Sequence, residues 1–276
     1  MGNVLSKQQI EQFHELGFVS PVDVMSASEA ADYRQKLEAA EKKFPDAIHA
    51  ENRNNAHLAF PFLDEIVHHP IIVGAVEDLI GPDIALWGTV LFIKEANSPG
   101  YVSWHQDGTY MGMNNNNFVT PWLALTPSNL QNGCMSMIPR SHKKHIFPHE
   151  DTFDEDNILT RGQVVTDVDA SRSVELVLEP GQMSLHHGEI IHGSQPNLSN
   201  ERRIGFAMQS YMSPDIQQVI GKNLWLPIQG DNTRNGSVAL SRPQSEMDSI
   251  GVANRELVNQ NYADILYHGA KQRRSY

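Results

Sequence analysis

Two hydrophobic periodicities divide the chain near residue 83. Before that point apolar positions recur at helical spacing. Ile10, Phe13 and Leu16 share one face of a segment over 6–16, which Ser6 and Gln9 open as a capping box and Gly17 stops. A short strand over 18–20 and a turn over 21–25 follow. Ser26 or Ser28 then caps a helix that runs to about Phe44, where Pro45 ends it. Two shorter helical pieces lie between Phe60 and Ile80, split at His69-Pro70, and Gly81-Pro82 closes the region. From Ile84 the pattern changes to short runs of Val, Ile, Leu, Phe and Trp between turn residues. Strands are predicted over 84–94, around Trp104 and His105, and over 118–126, 135–138, 174–178, 182–186 and 203–212. So many short strands close more readily than they lie open with bare edges. The expected fold is therefore mainly β, a double-stranded β-helix (jelly roll, cupin-like) with flanking N-terminal helices and a C-terminal helix. The insert from His142 to about Thr166 is acidic and aperiodic and reads as a loop over the barrel. The chain past Pro214 reads as polar and Gly- and Asn-rich through Gly236, before a helix over 252–267. One domain is expected, with a helical layer over 1–82, a jelly-roll core over 84–212 and a loop and helical tail over 213–276.

Composition narrows the partners. A formal charge of −12 over 276 residues argues against a nucleic-acid partner, and the run Lys271-Gln272-Arg273-Arg274 is too short to reverse it. No apolar run approaches the roughly 18 residues a membrane span needs, so no membrane partner is expected. The single cysteine, Cys134, excludes an internal disulfide or a cysteine-rich metal site, and with no secretory leader in view the expected location is cytoplasmic. Met1-Gly2-Asn3-Val4-Leu5-Ser6 matches an acylation pattern, but Ser6 is better used as a helix cap.

The chemistry concentrates in Trp104-His105-Gln106-Asp107-Gly108. Side chains at i and i+2 of a strand leave the same face, so His105 and Asp107 can turn toward one point. His192, in Ile191-His192-Gly193-Ser194, offers a second imidazole, and Arg203 follows eleven residues later. Two histidines and one carboxylate on one face of a metal form the facial triad of non-haem Fe(II) oxygenases. A lone His-x-Asp is weak. Trp104 and Gly108, which place it at a strand end, and the separate His-Gly-Ser element strengthen it.

Four ordered stretches carry a family resemblance. They are Phe92-Ile93-Lys94-Glu95; Trp104-His105-Gln106-Asp107; Pro121-Trp122-Leu123 leading to Asn132-Gly133-Cys134 and Pro139-Arg140-Ser141-His142-Lys143; and His192-Gly193-Ser194-Gln195-Pro196-Asn197 with Arg203. In these the chain resembles the phytanoyl-CoA dioxygenase family of Fe(II)- and 2-oxoglutarate-dependent oxygenases, over about residues 86–212. The resemblance implies that His105, Asp107 and His192 ligate Fe(II), that Arg203 grips the distal carboxylate of 2-oxoglutarate with Ser194 adding a hydroxyl, and that Trp122 and Asn197 lie near the centre. O2 is the third reactant. The implied reaction releases succinate and CO2 and hydroxylates an unactivated C–H bond. His142 falls in a family segment and reads equally as site lining or loop structure, Arg202 should face away, and Lys94 should snorkel at a strand end. Gln106, Tyr110, the loop over 111–117 and Asn132 are the expected substrate contacts, which suggests a small polar metabolite such as an amino acid, a phosphonate, a sugar-like molecule or a natural-product intermediate. An intact Asp107 favours hydroxylation over chlorination, and no basic cluster offers to hold a coenzyme-A tail. The same site could run desaturation, cyclisation or epimerisation, and a metal-containing binding protein is the rival from another class. The acidic stretch over 150–156 is the expected lid.

Overall fold

The computed structural model of the chain describes residues 4–231, 233 and 236–274, so Gly2 of the acylation pattern lies outside them. Helix α1 (Lys7–Leu16) begins at Ser6, whose hydroxyl and Gln9 bond reciprocally, and ends at Gly17 with φ 90°. Strand β1 (Phe18–Asp23) and helix α2 (Ala27–Lys43) follow, with Ser26 and Glu29 forming a second capping box. Helices α3 (Pro61–Val67) and α4 (Pro70–Ile80) each carry proline in the first turn, where a missing N–H costs nothing. The strands are β2 (Ile84–Lys94), β3 (Val102–His105), β4 (Val119–Ala124), β5 (Met135–Met137), β6 (Glu150–Asp151), β7 (Gln163–Val164), β8 (Val174–Leu176), β9 (Gln182–His187), β10 (His192–Ser194), β11 (Arg203–Met212), β12 (Leu224–Gln229) and β13 (Val238–Ala239). Helix α5 (Ser249–Leu266) starts at Asp248, which accepts from the N–H groups of Ile250 and Gly251.

The major sheet has the order β1-β9-β4-β11-β2-β12-β13, and the minor sheet β3-β10-β5-β8. Together they make the jelly roll. Three expectations need correction. Pro21 sits inside β1 rather than in a turn, because β1 is the sheet's edge and slips register between Val19 and Val22, so the proline breaks no ladder bond. The stretch past Pro214 is not only polar loop. The short run Leu224-Trp225-Leu226 is buried and pairs with β2, where a full strand was masked by the polar, Gly-rich chain around it. The insert over 142–166 holds the antiparallel pair β6 and β7, so it is not wholly loop.

Strand β11 shows how the layers divide. Ile204, Phe206 and Met208 join the core under α3 and α4, together with Phe60, Leu63, Ile66 and Ile72. Arg203, Ala207 and Gln209 point the other way, into a cavity between the sheets. The alternation reverses at Ser210, which has φ 63° where β11 slips register against β4, and Tyr211 then returns to the helix side with its hydroxyl donating to the Val67 carbonyl at 2.6 Å.

Gly205 makes space for one large side chain. A Cβ there would lie 1.8 Å from Cζ2 of Trp122, which is itself buried in the inter-sheet core. Gly205→Ala should therefore push the indole out of place and destabilise the fold by about 1–3 kcal/mol. Urea denaturation of the two proteins measures this, and equal midpoints would show that the indole yields freely.

Candidate metal centre

The pairing of β3 with β10 sets the centre. His105 and His192 are direct cross-strand partners, their rings 4.1 Å apart between centroids. Asp107 lies past the end of β3, in a 3-10 turn over Asp107–Thr109, and this turn rather than strand alternation brings its carboxylate inward. Oδ1 of Asp107 lies 3.4 Å from Nε2 of His105 and 3.9 Å from Nε2 of His192. One ligand atom from each of the three residues falls within 4.8 Å of the others.

Hydrogen bonds on the far side of each ring fix what faces inward. Nδ1 of His105 donates to the Ser103 carbonyl at 2.9 Å, and Nδ1 of His192 donates to the Ile190 carbonyl at 3.1 Å. A carbonyl only accepts, so in the neutral rings each Nε2 is bare and turned toward a carboxylate. Burial, with His105 beside it, holds His192 well below the usual imidazole range. Burial alone would push Asp107 up, but the surrounding imidazoles of His192, His105 and His186 outweigh it and hold the carboxyl well below its ordinary value. Neutral imidazoles around a carboxylate are the protonation states that metal ligation requires. Left alone, these acceptors repel; a cation between them removes the conflict.

The cavity beside the triad has a volume of about 120 Å³. Its walls include Arg203, Ser194, Trp122 and Tyr110, as the sequence suggested. Arg203 is 2% exposed, its centre 5.2 Å from the Trp122 ring, and Nη1 donates to the Gly133 carbonyl at 2.6 Å while Nε has no partner. Lys94 is also 2% exposed, which corrects the snorkelling expectation. Strand alternation places it on the same face as Val90 and Phe92, and Nζ donates to Ser194 Oγ at 2.7 Å and to the Gln195 carbonyl. Burial and the neighbouring Arg203 lower Lys94 to about 6, whereas burial lowers Arg203 only to about 10. Among the described residues neither cation forms an ion pair with a carboxylate.

Two expected substrate contacts do not line the cavity. Gln106 is fully buried behind it, its amide donating to the carbonyls of His145 at 2.8 Å and Glu189 at 2.6 Å and accepting from Phe147 N at 2.8 Å, so it staples loops together. Asn132 binds Asn129 N and the Pro127 carbonyl, each at 2.8 Å, and holds the connection between β4 and β5. Asn114 and Asn116 of the loop over 111–117 are likewise engaged, with Asp215 and Glu189 respectively; of this loop, Met111 reaches the cavity. His142 bonds the His14 carbonyl at 3.2 Å beside α1, and Asn197 donates to the carbonyls of Lys94, Glu95 and Glu201, so both are structural. Arg202 faces away, paired with Glu41 and Glu95.

Sequence reading missed His186 on β9, Gln209 on β11, Asn54, and Tyr262 and Leu266 on α5, all of which line the cavity. The period-2 pattern of β11 would have found Gln209, two positions beyond Ala207; nothing local marks the contributions of α5. The insert lends Ile158, Leu159, Thr160 and Gln163 to the mouth rather than the acidic residues before them. Asp151 of that acidic run pairs with Arg161, whose Nη1 donates to the Leu266 carbonyl at 3.2 Å.

Comparison with known proteins agrees with this architecture. The family profile described as phytanoyl-CoA dioxygenase (PhyH) matches residues 13–205. A probable alpha-ketoglutarate-dependent hypophosphite dioxygenase of Stutzerimonas stutzeri is 30% identical over 169 residues, 60% of this chain and 58% of that protein. The peroxisomal phytanoyl-CoA dioxygenase of Bos taurus is 26% identical over 221 residues, 71% of this chain and 66% of the relative. The chain thus spans somewhat under two thirds of the length of these curated relatives. Among solved structures, the apo form of the non-heme monooxygenase ThoJ superposes with a TM-score of 0.85 at 29% identity, covering 96% of this chain and 100% of that one. Among the described residues no helix is long and apolar enough to cross a membrane. With the profile spanning well over half of its length, the chain belongs to the phytanoyl-CoA dioxygenase family.

Proposed function

We propose that the protein is an Fe(II)- and 2-oxoglutarate-dependent dioxygenase that hydroxylates a C–H bond of a small metabolite, with His105, Asp107 and His192 as the iron ligands. The observation that carries this reading is the pair of buried basic side chains beside the triad, Arg203 and Lys94. Burying the Arg203 charge without a carboxylate is costly, and Lys94 beside it gives up its proton for want of one; a dianion arriving here relieves the first cost and favours the ammonium form of Lys94. Bound iron supplies the means of coupling O2 reduction to decarboxylation of the 2-oxo acid and oxidation of the substrate. The chain's own residues do the positioning. Arg203 offers its unpartnered Nε to a carboxylate, Trp122 supports the guanidinium from one face, and Ser194 relays Lys94 toward the same end of the cavity. Three protein ligands leave room for a chelating co-substrate and oxygen, unlike a closed structural site.

The substrate end of the cavity shapes the rest of the proposal. Val90, Met111, Ile158, Leu159 and Leu266 give it an apolar body, and Asn54, Gln163, Gln209 and the tyrosines add uncharged polar groups. Among the described residues, Arg203 is the one outside the triad that brings a full charge to the wall. The substrate we infer is therefore a small molecule with an apolar body and few uncharged polar groups, rather than an inorganic anion or an acyl-CoA. This narrows the polar-metabolite expectation, since the side chains that motivated it are engaged elsewhere.

Anaerobic titration of metal-free protein with Fe(II) and then 2-oxoglutarate tests the centre, through the visible charge-transfer band of the chelate. Asp107→Ala should bind Fe(II) more than about 100-fold more weakly, beyond the effect of losing an outer hydrogen bond, and abolish succinate formation. Wild-type Fe(II) affinity in that variant would refute the ligand set. The cations predict a pH dependence. Lys94 is neutral above about pH 6 in the free protein, and a bound dianion favours its ammonium form. Binding at higher pH must then take up a proton, so the dissociation constant for 2-oxoglutarate should rise with pH above 6, by up to about tenfold per unit. Lys94→Met should flatten that slope between pH 6.5 and 8.5 while Arg203→Ala keeps it but weakens binding throughout; an unaltered slope in Lys94→Met would show that Lys94 does not sense the co-substrate.

A further inference from the structure

A third imidazole stands at the centre without a hydrogen bond. His186 on β9 is 2% exposed, lines the cavity, and has no partner within bonding distance at Nδ1 or Nε2. Its ring centroid lies 4.8 Å from that of His192, and Nε2 lies 3.6 Å from Oδ2 of Asp107. An imidazole stripped of water and given no partner is destabilising in a folded core, and an apolar side chain would fill the same space without that cost. The position asks what His186 serves.

The two oxygens of Asp107 answer. Oδ1 faces His105 and His192, and Oδ2 faces His186. His105 and His192 present bare Nε2 atoms because backbone carbonyls hold their Nδ1 protons; His186 has no such carbonyl, so its Nε2 is free to carry the proton. Asp107 also needs an outer partner more than the histidines do. It sits beyond the end of β3, in a short 3-10 turn, and among the described residues no backbone N–H donates to its carboxylate. Unrestrained, the carboxylate could rotate and present both oxygens to a metal, occupying a position that a chelating co-substrate and oxygen need.

Resting on the iron-ligand reading above, we propose that His186 is a positioning residue: its Nε2–H donates to Oδ2 of Asp107 and holds the carboxylate to one-oxygen ligation through Oδ1. The ring does not enter the ligand set. Its place on β9, in the major sheet, lets it reach Asp107 from the side opposite β3 and β10, which carry the two histidine ligands.

The test uses the metal alone. Metal-free wild-type protein, His186→Phe and His186→Gln are titrated anaerobically with Fe(II) and, separately, with Co(II), whose visible bands report coordination number. His186→Phe keeps a ring and removes the donor. It should weaken Fe(II) about 10- to 100-fold and lower the Co(II) absorptivity as the second oxygen joins, while His186→Gln, which retains an N–H donor, restores most of both. Wild-type affinity and bands in His186→Phe, or equal losses in His186→Gln and His186→Phe, would overturn the proposal. Wild-type protein that takes up neither metal would instead refute the ligand set itself. A measurement without substitution guards against a misfolded variant: 15N spectra of histidine-labelled, Zn(II)-loaded wild-type protein should show His186 protonated at Nε2 and bare at Nδ1, and the reverse tautomer would overturn the assignment.

Discussion

Three acceptors turned toward one another between two β sheets impose the constraint on which the site depends. The Nε2 atoms of His105 and His192 and Oδ1 of Asp107 lie close enough to repel, and among the described residues no donor stands between them. The backbone enforces this. The carbonyls of Ser103 and Ile190 claim the Nδ1 protons, and the antiparallel register of β3 and β10 prevents the rings from turning apart. Folding energy from the rest of the sandwich holds a local arrangement that is unfavourable until a cation arrives, as binding sites commonly require.

The cations behind the triad repeat the logic with the opposite sign. Arg203 and Lys94 are close, buried and unpaired with any carboxylate among the described residues, and the protein as a whole carries a charge of −12. Acidic surface and cationic interior are not in conflict: a low-polarity pocket makes its own charges dominate locally, whereas surface charges are screened by salt. On the proposed reading, selection for a small dianion rests on what lies inside the sandwich, not on net charge.

Much of this was legible in the sequence because the deciding features are local. The Ser6–Gln9 cap, the proline-initiated helices and the bounds of β2 and β11 follow from nearest-neighbour chemistry and period-2 patterning. His105, Asp107 and His192 come together as their spacing suggested, and Arg203, Ser194 and Trp122, which the family resemblance pointed to, line the same cavity with Tyr110. The failures have physical causes. Lys94 ends a strand, where lysine commonly reaches water, but here the chain folds Gln195 over it. Gln106 and Asn132 were judged by proximity to motif residues, whereas a polar side chain next to a ligand often serves the loops around it. His186 stands in a sequence of two adjacent histidines, only one of which faces the centre, and the choice depends on which sheet face β9 shows to β3 and β10. The contributions of α5 depend on long-range docking that no local pattern encodes.

The distribution of the site between the sheets has a mechanical side. Arg203, Lys94 and Trp122 stand on β11, β2 and β4 of the major sheet, while His105 and His192 stand on β3 and β10 of the minor one. Among the described residues no strand of one sheet pairs with a strand of the other, so side-chain packing and the connecting loops are what hold the two faces together. On the proposed reading, a molecule held by the basic side chains of one sheet and a metal on the other would work as a tie-rod across that gap. Occupancy of the pocket and stiffness of the whole shell then become the same variable.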